Sequence, residues 1–137
     1  MKVTVKIQQT KGAEFQLCEP HHLEKLNPKE LMLYAAAQCA GKTLHSILEK
    51  ERITPKSIEI TMSGILDTEL LEGRSRFKAF DIRYDIECCS ISEQSKVGHA
   101  VTLTTEKYCG NLDMLRHAAP LSHEISIVST EEEVYQS

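Results

Sequence analysis

Residues 27–48 read NPKELMLYAAAQCAGKTLHSIL, and this stretch predicts the helix around which the fold is organised. Asn27 is a favourable N-cap residue and Pro28 a favourable first residue of a helix, so we expect a helix over residues 28–51. Its apolar side chains recur at helical spacing, and within residues 31–41 they occupy more than one face. A helix that is apolar on several faces is buried from more than one side. We therefore expect a central helix, covered by a sheet on one side and by a further element on another.

Strands are predicted where apolar and polar residues alternate, because successive side chains of a strand point to opposite faces. The clearest case is residues 80–88, which read FDIRYDIEC. The same pattern recurs in shorter form at residues 2–9, 15–17, 58–62 and 125–127. A second helix is predicted over residues 97–108 and a short one over residues 111–117. The order β-β-α-β-β-α-β, with strands in adjacent pairs, favours an α+β fold with a mainly antiparallel sheet.

Capping residues predict where the two later helices begin. Ser90 and Glu93 have the spacing of a capping box ahead of the second helix. Asn111 is expected to cap the short helix. These caps would satisfy N–H groups of the first helical turn, which have no partner inside a helix.

Length and composition restrict the class of protein. The chain has 137 residues, 41% apolar and 26% charged, which fits a single domain over residues 1–137 with a flexible tail at 131–137. A net charge of −4 disfavours a binder of nucleic-acid backbones, and 5% aromatic residues without Trp disfavour a stacking platform for bases. No stretch approaches the roughly 20 apolar residues of a membrane helix, and the alternating N-terminus lacks the apolar centre of a signal peptide. We expect a cytoplasmic protein that binds neither nucleic acid nor membranes.

Two familiar site patterns are incomplete in the sequence. Gly41-Lys42-Thr43 resembles the end of a phosphate-binding P-loop, but Ala36 occupies the position of that motif's first Gly. The six histidines are scattered and do not have the spacing of a metal site. We therefore expect no bound nucleotide, no metal and no other cofactor.

The five cysteines are an odd number, which argues against a framework of disulfides. Cys39 lies in the middle of the long helix among small residues, which would allow a substrate or another element to come close. Cys109 lies between the second helix and the short one, where a helix N-terminus can lower the pKa of a thiol. From the residues alone, simple packing is the favoured explanation of either cysteine. Cys88 is expected to point into the core and Cys89 to be exposed.

Two segments, taken together, resemble the signatures of the OsmC/Ohr family, the osmotically inducible and organic hydroperoxide resistance proteins. The first signature is matched by residues 27–44 and the second by residues 106–109 followed by Met114 and Leu115. The resemblance extends over about residues 27 to 128 and includes the order of the elements. It implies an intertwined homodimer with two sites at the subunit interface.

The resemblance also implies a reaction. Cys39 would be the peroxidatic thiol, which organic hydroperoxides oxidise to a sulfenic acid, and Cys109 the resolving thiol, which then forms a disulfide with it. An external dithiol reductant would complete the cycle.

The resemblance does not identify the charged residue that would stabilise the Cys39 thiolate. Family peroxidases place an Arg upstream of the first signature Cys and hold it with a Glu ten residues before that Cys. Here the first Arg is Arg52, and Lys29 stands at the Glu position. The candidates for a supporting role are Lys29, Glu30, Lys42, His21 and His22. The alternative is a non-catalytic protein of the same fold that holds a small apolar or sulfur-containing ligand in the dimer-interface pocket.

Overall fold

The computed structural model describes residues 1–69 and 74–130, and its central feature is a five-stranded sheet. The strands are β1 (Lys2–Lys11), β2 (Glu14–Glu19), β3 (Ser57–Leu66), β4 (Phe77–Cys88) and β5 (Leu121–Ser129). Their order across the sheet is β2-β1-β3-β4-β5. Alternate side chains of β1, β3 and β4 are buried, so one face of the sheet carries the core, as the alternating pattern predicts.

Three of the four strand pairings are antiparallel, which confirms the prediction of an α+β fold with a mainly antiparallel sheet. The exception is the pair of β4 and β5, which is parallel from Phe80 opposite Leu121 to Cys88 opposite Ser129. A parallel pair requires a crossover connection, and the chain between these two strands supplies one that contains helices.

The long helix α1 (Pro28–Lys50) begins where the sequence predicts and ends one residue earlier. Asn27 Oδ1 accepts a hydrogen bond of 2.9 Å from the Glu30 N–H, and Glu30 Oε1 accepts one of 3.0 Å from the Asn27 N–H. This reciprocal capping box satisfies two N–H groups that the helix itself leaves without partners. The side chains that α1 buries are Leu33, Ala36, Ala37, Ala40, Gly41, Leu44 and Leu48.

The small residues of α1 let the helix come close to the sheet. A Cβ atom on Gly41 would lie 2.8 Å from ring carbons of Phe15, which belongs to β2. One turn earlier, the Gln38 side-chain amide donates a hydrogen bond of 2.8 Å to the Phe15 carbonyl. These two contacts fix the position of the middle of α1 over the edge of the sheet.

The second helical region differs from the single helix that the sequence predicts over residues 97–108. Helix α2 (Gln94–Leu103) gives way to one turn of π-helix at Thr104–Tyr108, and α3 (Gly110–Ala118) follows. The apolar spacing of the segment cannot reveal a change of winding. Short 3₁₀ turns at Leu23–Lys25 and Ile91–Glu93 complete the described elements.

Both predicted caps of the later helices are wrong. The Ser90 hydroxyl lies 2.7 Å from that of Ser92 and caps no helix, because a 3₁₀ turn separates it from α2. Asn111 lies inside α3 instead of before it, and its side-chain amide donates a 3.3 Å hydrogen bond to the Ala35 carbonyl of α1. Asn111 therefore joins two helices.

Two further points complete the description. The predicted tail at residues 131–137 lies outside the described residues. Within residues 1–69 and 74–130, no helix combines the length and the apolar character that crossing a membrane requires.

The close contact at Gly41 leads to a test of stability. We expect Gly41→Ala to lower the free energy of unfolding by about 1–3 kcal/mol, because the new methyl group overlaps the ring of Phe15. Gly98→Ala is the matched control, since Gly98 also lies in a helix but its Cβ would meet only Ile127, at an ordinary 3.7 Å. The control should raise stability by about 0.5–1 kcal/mol. Urea denaturation measures both changes, and equal effects of the two variants would contradict the packing described here.

Candidate functional site

The structure brings together two cysteines that are 70 positions apart in the sequence. Cys39 lies in the middle of α1 and is half-buried, whereas Cys109 follows the π-helical turn, directly before α3, and is 2% exposed. The two side chains lie close enough together that Cys39 affects the pKa of Cys109. The bond from Asn111 to the Ala35 carbonyl holds α3 against α1 one helical turn before Cys39.

Burial controls the protonation of Cys109. The pKa of Cys109 is raised to about 12; loss of contact with water is the largest cause, and the neighbouring Cys39 acts in the same direction. The backbone N–H groups of Leu112 and Asn111, at the start of α3, act in the opposite direction. The lowered pKa that the sequence suggested for Cys109 is therefore wrong, because the helix N-terminus is outweighed by burial. At neutral pH Cys109 is a thiol.

A buried tyrosine that the sequence analysis did not select lies beside this pair. Tyr84 of β4 is 0% exposed, and its hydroxyl lies 2.8 Å from the hydroxyl of Thr105 in the π-helical turn. Burial raises the pKa of Tyr84 well above its usual range, and the charges of Cys109 and Cys39 add to this effect. A buried tyrosine hydroxyl usually has a hydrogen-bond partner. The position of Tyr84 on the inner face of a predicted strand could therefore have drawn attention to this residue.

Arg116 is the second residue that the sequence analysis missed. It lies on α3, and its Nη2 donates a hydrogen bond of 2.6 Å to the carbonyl of Thr105. Its Nη1 lies 3.7 Å from a carboxylate oxygen of Asp113. The guanidinium thus lies between α3 and the turn that leads to Cys109.

The acid and base candidates at the start of α1 have partners of their own. Glu30 caps the helix, and the His21 Nε2 atom lies 3.6 Å from the same Glu30 oxygen and 3.0 Å from the Lys25 carbonyl. His22 is exposed, directly before the first 3₁₀ turn. These contacts place Glu30 and His21 at the helix terminus, about two turns or more from Cys39.

The two lysine candidates lie on either side of Cys39 along α1. Lys29 stands ten residues before Cys39, which is about 15 Å along a helix axis. The Lys42 ammonium donates a hydrogen bond of 2.8 Å to the Ala13 carbonyl, at the turn between β1 and β2. Within one chain, Lys42 therefore braces that turn.

The other three cysteines lie away from this pair. Cys88 is buried on β4 and Cys89 is exposed, as predicted, and Cys18 is exposed on β2. All five are free thiols. In the part of the chain that the structure describes, no three His, Cys, Asp or Glu side chains are grouped as a metal site would require.

An open groove of about 580 Å³ begins one helical turn beyond Cys39. Thr43 and Ile47 of α1 form one wall, and Leu103 and Tyr108 form the other. Tyr108 directly precedes Cys109. The groove thus lies next to the segment that carries Cys109, although neither thiol is among its lining residues.

Comparison with known proteins identifies the family. The family model for OsmC-like proteins matches residues 21–124, so the chain belongs to the OsmC-like family, as the two signature segments predict. No curated protein matches the chain in sequence.

Solved structures agree with this assignment. A hypothetical protein from Aquifex aeolicus is 26% identical, with a TM-score of 0.65 over 94% of this chain and 96% of that one. An OsmC-like protein from Mycoplasma pneumoniae is 12% identical, with a TM-score of 0.62 and coverage of 93% and 96%. The organic hydroperoxide resistance protein OhrB of Bacillus subtilis is 14% identical, with a TM-score of 0.53 and coverage of 91% and 97%. The last two share the fold.

The protonation of Cys109 can be measured by alkylation of the reduced protein. We expect its reaction with iodoacetamide to be slow at neutral pH and to accelerate about tenfold per pH unit from pH 7 to 10, because only the thiolate reacts. Peptide mass spectrometry gives the rate for each cysteine, with the exposed Cys89 as reference. A Cys109 rate that levels off near pH 8 would contradict the effect of burial.

Proposed function

We propose that this protein is a thiol-dependent peroxidase that reduces organic hydroperoxides through Cys39 and Cys109. The observation that supports the proposal is the asymmetry of the pair. Cys39 is partly accessible to a substrate, whereas Cys109 is buried, protonated and close to Cys39. The thiolate of Cys39 is the form that attacks peroxides.

The first step is attack by the Cys39 thiolate on the hydroperoxide. The sulfur binds the terminal oxygen as the O–O bond breaks, which gives a sulfenic acid at Cys39 and an alkoxide that takes a proton to become an alcohol. The sulfur is oxidised by two electrons and the peroxide is reduced by two.

The second step joins the two cysteines. The Cys109 sulfur attacks the Cys39 sulfenic sulfur, hydroxide leaves with the proton of the Cys109 thiol as water, and a disulfide forms. An external dithiol then reduces this disulfide by two thiol–disulfide exchanges and is itself oxidised to a disulfide. No cofactor takes part in these steps.

The groove beside the thiols supports an organic substrate. Ile47, Leu103 and Tyr108 offer an apolar surface to an organic chain, and the remaining lining residues are polar or charged, so the groove suits an amphipathic molecule. The same groove favours the alternative function, a non-catalytic binder of small apolar ligands. Whichever of the two functions it has, we expect the protein to act in the cytoplasm, which contains dithiol reductants.

A peroxidase assay separates the two functions. We expect the wild-type protein to consume cumene hydroperoxide repeatedly with dithiothreitol present and Cys39→Ser to lose this activity by at least about a hundredfold. Cys109→Ser should complete one turnover and leave Cys39 as a sulfenic acid, which dimedone traps for mass spectrometry. Cys89→Ser, which removes an exposed thiol outside the pair, should retain full activity. Equal, slow consumption by wild type and Cys39→Ser would refute the enzyme and favour the binder.

We also propose that the protein is a homodimer. Three apolar side chains of the helical layer are exposed in the single chain: Leu31 (43%), Met32 (47%) and Met114 (66%). Large apolar side chains exposed on both α1 and α3 are consistent with a surface that another protein covers. A second copy of the chain would cover the side of α1 that the sheet leaves open.

Sedimentation tests the dimer. We expect a dimer at micromolar concentration for the wild type and a shift to monomer for Met32→Lys, because the charge would be buried at the interface. Ile91→Lys, a matched change at an exposed apolar residue of a 3₁₀ turn, should leave the dimer intact. A folded wild-type monomer, or the same shift in both variants, would contradict this proposal.

A further inference from the structure

The π-helical turn at Thr104–Tyr108 determines where Cys109 lies. The Cys109 N–H donates a hydrogen bond of 3.0 Å to the Thr104 carbonyl and so closes the turn directly at the cysteine. Single π turns are rare and recur at functional sites. Thr104 is 0% exposed, and its hydroxyl has no hydrogen-bond partner within residues 1–69 and 74–130. A buried hydroxyl without a hydrogen-bond partner destabilises the turn, so contacts from neighbouring elements must hold the turn in place.

Two such contacts converge on a single residue of the turn, Thr105. The Tyr84 hydroxyl lies 2.8 Å from the Thr105 hydroxyl, and Arg116 donates a hydrogen bond of 2.6 Å to the Thr105 carbonyl. The first contact comes from β4, an inner strand of the sheet, and the second from α3. Both β4 and α3 therefore contact the turn at Thr105, four residues before Cys109.

We propose that Tyr84 and Arg116 are positioning residues that, through Thr105, hold Cys109 in line with Cys39 and set the rate at which Cys109 attacks a modified Cys39. The inference deepens the proposed function, since this attack is the second step of the peroxidase cycle. It also applies to any reagent that modifies Cys39. It can therefore be tested without a peroxide.

The rate of this attack is sensitive to position. Nucleophilic attack on a disulfide requires an approach along the axis of the bond that breaks, and a displacement of about 1 Å can cost a hundredfold in rate. Because Cys109 is almost fully protonated at neutral pH, the small thiolate fraction must be well placed to react at a useful rate. The charges of both cysteines influence the Tyr84 hydroxyl, which supports its closeness to the pair.

The experiment uses 5,5′-dithiobis(2-nitrobenzoate) on the full chain carrying Cys18→Ser and Cys89→Ser, which removes the two exposed thiols. In the first phase the Cys39 thiolate attacks the reagent, forms a mixed disulfide and releases one thionitrobenzoate. In the second phase the Cys109 thiolate attacks the Cys39 sulfur and displaces the second thionitrobenzoate, and the Cys109 proton goes to solvent. The two releases are followed by absorbance.

We expect Tyr84→Phe and Arg116→Gln each to slow the second release about ten- to a hundredfold and to change the first by less than about twofold. Arg116→Lys should recover part of the loss, because lysine retains a charged donor. Arg83→Gln and Ser122→Ala are the matched controls, since they remove an arginine and a hydroxyl that contact acidic side chains at the sheet surface. Both controls should leave both releases unchanged.

A purely structural role would give a different result. Equal slowing of both releases in Tyr84→Phe and Arg116→Gln, or no slowing of the second, would overturn the proposal. The absence of a second release in the protein that carries only Cys18→Ser and Cys89→Ser would also overturn the proposal, because Cys109 would then not reach Cys39. If the two releases behave as expected but the wild-type protein does not consume cumene hydroperoxide, the positioning role stands and the peroxidase proposal falls.

Discussion

Burial of the Cys109 side chain controls the chemistry that the two thiols can perform. Because the chain desolvates this thiol, it keeps its proton at neutral pH, beside Cys39. The two cysteines therefore differ in environment although they have the same functional group. Cys39 is half-buried and thus partly accessible, whereas Cys109 is a protonated thiol in the core.

That burial depends in turn on how closely α1 approaches its neighbours. Gly41 leaves room for the ring of Phe15 on one side of the helix, and the Ala35 carbonyl accepts a hydrogen bond from Asn111 of α3 on another. A larger side chain at position 41 would push the Phe15 ring away from α1, because a Cβ there would lie 2.8 Å from the ring.

Much of this arrangement could be predicted from local sequence patterns. The Asn27 cap and the alternation along β4 are properties of neighbouring residues, and both were predicted correctly. The π-helical turn could not be predicted, because it depends on contacts that Tyr84 and Arg116 make with Thr105 across the fold. The two wrong caps have the same origin, since a local spacing cannot reveal that Asn111 bonds to another helix. The family resemblance selected Cys39 and Cys109, and their contact became visible only with the three-dimensional arrangement.

The central claim is that Cys109 resolves an oxidised Cys39 within one protein molecule. The most direct measurement is the mass of the intact wild-type protein, and of its peptides, after one equivalent of cumene hydroperoxide without reductant. The account predicts the loss of two hydrogen atoms and a peptide pair linked through Cys39 and Cys109, with Cys18, Cys88 and Cys89 still free. A gain of oxygen on Cys39 that persists beside a free Cys109 thiol, or a disulfide formed by Cys88 or Cys89, would contradict it.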